Sequence, residues 1–240
     1  MKQSISLLEN KKMSGASKIP AAEGLDIVVI GSFNPAIFQP EWFLRQKLVR
    51  EEEIAEPQIN AISKEICDFS FSGMKLFCMN DRFSIGTTNI SKSARMQDLL
   101  INTFTILSHT PVTACGINPT VAYTVKDDKL WHKIGNTLAP KDLVWNELFE
   151  KPGMNSLCIK APHSGEFAGD TFLWVEPAQD PRIHPGIFVR ANYSYNFPKD
   201  PENAEATELL LKFLTKDWDV ACALARKLGE VILEKIKPDE

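Results

Sequence analysis

Residues 162–184 gather the side chains best suited to chemistry. His163, Glu166, Asp170, Glu176 and His184 all fall there, so two of the chain's four histidines lie in one short segment. Imidazole and carboxylate together can bind a divalent metal or move a proton during hydrolysis. On a strand over 171–177, Asp170, Phe172, Trp174 and Glu176 share parity, which would point two carboxylates the same way. A metal-dependent hydrolase or nuclease is therefore one reading. Against it, the spacing matches no zincin pattern, and Gly165, Gly169, Pro181 and Pro185 equally describe a polar hairpin loop.

Polar rows on strands form the second set of candidates. Over 187–197, Ile187, Val189, Ala191, Tyr193, Tyr195 and Phe197 share one parity, and Arg190, Asn192, Ser194 and Asn196 share the other. Over 82–88, Phe83 and Ile85 oppose Arg82, Ser84 and Thr88. Over 112–125, Ile117, Val121, Tyr123 and Val125 oppose Asn118, Thr120 and Thr124. Such alternation describes a sheet with one buried and one wet face. It also describes a platform on which Arg82, Thr120, Thr124, Arg190, Asn192, Ser194 and Asn196 could hold a ligand, since amides and hydroxyls both donate and accept and Arg forks onto carboxylate or phosphate.

Strands must carry these rows, and helices must cover their apolar side. Strands are expected over 25–30, 67–71, 74–79, 82–88, 112–125, 154–160, 171–177 and 187–197, with Asn80-Asp81 as a two-residue hairpin turn. Met96, Leu99, Leu100, Phe104 and Leu107 follow helical spacing, predicting an amphipathic helix over 94–109 that Pro111 stops and His109 ends. Arg95 and Asp98 read as its solvated side. Pro40 opens a helix over 41–49. Residues 50–64 are ambiguous, with Glu51-Glu52-Glu53 a solvated turn or helix end. Short helices are expected over 130–149, with Trp131 and Trp145 as anchors and His132 paired to Asp127-Asp128. Residues 204–214 and 217–236 form the last two helices, with Trp218, Ala221, Ala225, Leu228 and Ile232 as the buried stripe.

The order strand, helix, three strands, helix occurs twice, over 25–110 and 111–240. Short echoes accompany it: Asn34-Pro35 and Asn118-Pro119, Trp42 and Trp131, Gly73-Met74 and Gly153-Met154. The expected fold class is α+β, with a mainly antiparallel curved sheet, amphipathic helices on one face, and two pseudo-repeated β-α-β-β-β-α halves as an option. Residues 1–24 read as a polar leader and 25–240 as one domain.

Bulk properties narrow the function classes. The 240 residues are 44% hydrophobic and 24% charged, with net charge −4 and pI near 5.7. A basic excess, the usual mark of phosphate-backbone binding, is missing, which argues against a nucleic-acid partner. Cys67, Cys78, Cys115, Cys158 and Cys222 are irregularly spaced, as expected of buried free thiols in a reducing, cytoplasmic compartment. No apolar run is long enough to span a bilayer. No Gly-rich phosphate loop, GxSxG elbow or Cys/His nucleophile arrangement occurs, so neither cofactor nor metal is expected. The leading expectation is a non-catalytic binding or assembly protein with a protein partner or a second copy of itself. The hydrolase and a small-ligand sensor, with a pocket between sheet and C-terminal helix, are the alternatives.

Overall fold

The computed structural model describes residues 19–163, 166–198 and 203–238. Most of the expected leader lies outside these residues, but residues 22–24 already belong to the first strand. β1 spans Ala22–Gly31, followed by α1 (Pro40–Arg45), α2 (Glu51–Ile54), β2 (Gln58–Ile62), β3 (Ile66–Phe71), β4 (Met74–Met79), β5 (Arg82–Thr87) and α3 (Ser93–Ile106). The second half of the chain holds β6 (Val112–Thr124), α4 (Asp128–Leu138), α5 (Trp145–Leu148), β7 (Leu157–His163), β8 (Gly169–Pro177), β9 (Gly186–Asn196), α6 (Asn203–Lys216) and α7 (Trp218–Lys235).

All nine strands join one open antiparallel sheet in the order β2-β3-β4-β5-β1-β6-β9-β8-β7. An α+β class fits this architecture. The longest strand, β6, pairs with β1 on one side and β9 on the other, so it joins the two halves of the chain. Pro119 sits within it and has no N–H to give, and the β6–β9 ladder is interrupted between Ile117 and Thr120.

Apolar rows alternate with polar ones as the pleat requires. Ile27, Val29, Phe83, Ile85, Ile117, Val121, Tyr123, Val189 and Tyr193 are buried on one side. α7 lies against β6 and β9 on that side, and α6 and α3 pack nearby. Phe213 of α6 stacks on Tyr193 and Tyr195, and the Tyr193 hydroxyl donates to Asp217 at 2.8 Å, just before α7. α1 brings Phe43 against Phe69 and Phe71, and α4 places Leu130 and Ile134 in the same layer. Burying one such side chain is worth about 1.5–3 kcal/mol, so the apolar rows decide which way the sheet faces.

Several sequence expectations need correction. α3 stops at Ile106, so His109 lies in the turn beyond it and not at its end. Glu51–Glu53 belong to α2, and Glu53 is not merely solvated. The Arg95 guanidinium reaches it with two hydrogen bonds of 2.9 Å and holds its carboxyl down to about 2. Arg95 is thus a tether between α3 and α2. Residues 58–62 add an unexpected edge strand. β7 begins at Leu157, so Gly153-Met154 does not open a strand. Trp131 does anchor, donating from Nε1 to the Gly186 carbonyl at 2.9 Å, but Trp145 is exposed. Asp127 caps α4 through the Leu130 N–H, and Asp128 faces His184 rather than His132. Cys67, Cys78 and Cys115 are buried, whereas Cys158 is exposed.

The small-ligand sensor required space between α7 and the sheet. Trp218, Ala221, Ala225, Gly229 and Ile232 of α7 are buried there, and Gly229 abuts the fully buried Tyr123 ring so closely that a Cβ would overlap it. That interface is solid, and the pocket reading fails there. Gly229→Ala should lower stability by about 1–2 kcal/mol, the overlap outweighing a helix-propensity gain of ~1 kcal/mol. Gly135→Ala in α4, where an added Cβ meets nothing within 4 Å, should raise stability by about 0.5–1 kcal/mol. Urea unfolding of both variants separates the cases, and a gain at both positions would contradict tight α7 packing.

Candidate functional site

No described helix packs on the opposite side of the sheet, where the polar rows lie. Strand pairing places the side chains of that side in rows running across the strands. One row reads Ser70, Lys75, Gly86, Asp26, Asn118, with Asn192 and Phe172 continuing it. The row beside it reads Phe77, Ser84, Val28, Gly116, Ser194, Asp170. On the other flank stand Gly24, Thr120, Arg190 and Trp174.

This side is recessed rather than flat. Two adjoining hollows of about 750 and 500 Å³ open onto it and share Asp26, Asn118 and Thr120, forming one trough over β5, β1, β6 and β9. Three glycines make the recess. An added Cβ would come within 2.8 Å of Thr120 Oγ1 at Gly24, of Asp26 Oδ1 at Gly86, and of Asn192 Nδ2 at Gly116. Polar side chains from neighbouring strands lie flat over the bare backbone at these points. Glycine inside a strand gives up packing and backbone order, a cost that a close-approaching ligand can explain.

Arg82, Thr120, Arg190, Asn192 and Ser194, five of the seven expected binding residues, line the trough. Thr124 and Asn196 lie toward the strand ends, outside its lining. The Arg190 guanidinium lies 4.3 Å over the Trp174 ring and donates to Glu176 at 3.3 Å, while its buried Nε–H finds no partner among the described residues. Asn192 donates to Asn118 Oδ1 at 2.6 Å, and Asn118 donates to the Gly116 carbonyl at 3.3 Å. These bonds fix both amides in place, so the face is pre-organised.

Asp26 stands at the centre, and the sequence reading passed over it. It sits half-buried with no hydrogen bond from any described residue, and burial pushes its carboxyl up to about 6 although Arg82 pulls the other way. A lone Asp in the β-branched run Leu25–Ile30 is the one signal that could have revealed it. Trp174, Glu56 and Lys75 were likewise not assigned to binding. Perturbed carboxyls in clefts mark candidate sites because a buried charge without a partner is costly to keep.

The five expected catalytic residues do not come together. His163 lies under the helix-covered side, stacked 3.8 Å from Tyr193 with Nδ1 3.0 Å from the Thr171 hydroxyl. Glu166 pairs with Lys216 of α6. Asp170 pairs with Lys160 at 2.9 Å and Glu176 with Arg190, both on the trough side. His184 pairs with Asp128 at 3.7 Å beside Trp131. Among the described residues, no group of three or more His, Cys, Asp or Glu could hold a metal. The metal-dependent hydrolase needed one shared coordination sphere, and strand parity divides these side chains between opposite sides of the sheet.

Comparison with known protein families finds no model that matches this chain, and comparison with curated sequences finds no match either.

Asp26→Asn should raise stability at pH 7 by about 1–3 kcal/mol, because the folded state no longer holds a partly desolvated carboxylate. The sign follows from proton binding: between pH 4 and 6 the folded state binds more protons than the unfolded one, so wild-type stability falls as pH rises through that window. The gap between variant and wild type should close near pH 4. Equal stabilities at pH 7 would remove Asp26 as a strained carboxylate.

Proposed function

We propose that this chain is a non-catalytic binding protein that seats a ligand or partner segment in the trough on the uncovered side of its sheet. The observation that carries this reading is the recess itself. Glycines of three strands lower its floor, and fixed amides, Arg190 on Trp174 and Asp26, which has no hydrogen bond from any described residue, line it. A merely wet sheet face would carry exposed side chains, whereas Gly24, Ser84 and Gly116 are buried here and Asp26, Asn118, Thr120 and Asn192 are half-buried.

The reading treats 25–240 as one domain that arose by duplication of a β-α-β-β-β-α unit. Its support is the sheet order outward from the centre, β1-β5-β4-β3 in one direction and β6-β9-β8-β7 in the other. On that view the trough straddles the junction of the two units. The five free cysteines suit a cytoplasmic setting, three of them buried, with the Cys67 thiol pushed by burial to about 11 and Cys78 to about 12. No helix among the described residues is long and apolar enough to cross a membrane.

A photocrosslinking residue at Ser194 tests the main reading. It should trap a discrete adduct in cells, and Arg190→Ala or Asn192→Ala should weaken that capture at least about tenfold, the scale of one charged or well-fixed hydrogen bond. The same probe at Glu234, exposed on α7, should trap none. Equal capture at both positions would defeat the proposal.

A second surface favours assembly. Leu143, Val144, Trp145, Leu148 and Phe149 are 48–88% exposed within seven residues around α5. Clustered exposed apolar side chains of this kind mark contact surfaces. Sedimentation equilibrium of the full chain should show concentration-dependent self-association that Leu148→Glu abolishes. A monomer at every concentration would remove assembly and leave the trough reading standing.

A further inference from the structure

We infer that the group the trough recognises is an organic cation, a protonated amine or guanidinium, seated on the Asp26 carboxylate in the larger hollow. This rests on the trough being a binding site and assigns the chemistry of what it takes.

The charges around the trough are mostly committed to one another. Lys75 faces Asp68 at 3.4 Å, Lys160 faces Asp170 at 2.9 Å, and Arg190 is held by Glu176 and Trp174. Two acidic groups lining the larger hollow make no ion pair with any described residue, the half-buried Asp26 and the exposed Glu56. Arg82 lines only the smaller hollow, where its charge offsets Asp26 in part. The larger hollow therefore has an unmatched negative charge.

Its geometry suits a cation with an organic body. Asp26 lies over Gly86, so one side of its carboxylate meets no side chain from β5. Ser84, Thr120 and Asn118 stand around it with oxygens able to accept from an ammonium or guanidinium, and Phe77 lines the same hollow, offering a ring to the cation or its alkyl stem. An anion in this place would meet a carboxylate, and a neutral ligand would leave that carboxylate buried and unpaired.

Protonation and cation binding then compete at Asp26. The charged and titratable groups facing it are Arg82 from β5, Lys75 from β4, Glu56 from the link before β2 and Arg190 from β9. Burial pushes the Asp26 carboxyl up to about 6. Only the ionised form pairs with a cation, so affinity should fall about tenfold from pH 7 to pH 5.

The probe is n-butylguanidinium, added to the isotope-labelled full chain and followed by amide NMR shifts, with sodium butyrate as the anionic counterpart. Saturable shifts should centre on Gly24, Gly86, Asn118 and Thr120, with a Kd on the order of 1–10 mM for so small a fragment. Binding should weaken about tenfold at pH 5 and be lost in Asp26→Asn. The pH arm uses only wild-type protein and stands if the variant misfolds. No saturable shift by about 100 mM, unchanged binding in Asp26→Asn, or pH-independent affinity would each overturn the cation assignment. Butyrate binding in the trough instead would overturn the cation while leaving the binding reading in place, and only failure of the Ser194 crosslink removes the binding reading itself.

Discussion

The antiparallel pairing of β1 with β6 is the contact on which the rest of the molecule depends. These two strands form the centre of the sheet, and each carries one half of the chain outward. Their register sets Asp26 beside Asn118, Val28 beside Gly116 and Gly24 beside Thr120. A slip of one residue would turn Leu25, Ile27 and Val29 away from the helices and bury Asp26 among them. Register is strongly held because those three apolar side chains, with Ile117 and Val121 opposite, account for the buried side of the centre.

The covered side constrains the uncovered one. α7 lies on β6 and β9 with Gly229 against Tyr123, and Tyr193 is tied to Asp217 while Phe213 stacks upon it. Burial and the Asp217 acceptor both hold the Tyr193 phenol in its protonated form. With one side filled by large rings, the sheet beneath the trough has little freedom to deform. A stiff floor is what lets amides such as Asn118 and Asn192 keep a fixed geometry toward a ligand.

Chemistry and stability pull against each other at the trough. A sheet made only to be stable would place β-branched residues at the positions of Gly24, Gly86 and Gly116, and a threonine or valine at Asp26. The chain instead removes side chains around a carboxylate that receives no hydrogen bond from any described residue. Arg190 repeats the pattern on a smaller scale, stacked and paired yet with its Nε–H unanswered by any described residue. Local departures from good packing that cluster in space, while the surrounding core is well filled, are where a binding function is expected to lie.

Period-two alternation determined, from the sequence alone, which residues of β5, β6 and β9 face away from the core, because side-chain direction along a strand is a local property. Thus Arg82, Thr120, Arg190, Asn192 and Ser194 were legible as one polar set, as were the amphipathic α3 and α7. Helix ends were less legible: His109 fell beyond α3, and β7 began three residues later than its letters suggest, since caps and edges depend on partners. What only the tertiary structure decided is proximity. His163 and Glu176 are close in sequence but belong to opposite sides of the sheet, while Asp26, Asn118 and Asn192 are far apart in sequence and adjacent in space. Strand order across a sheet is set by long-range pairing, which leaves no trace in local spacing, and the recess around Asp26 exists only because that pairing brings glycines of β1, β5 and β6 to the same face of the sheet.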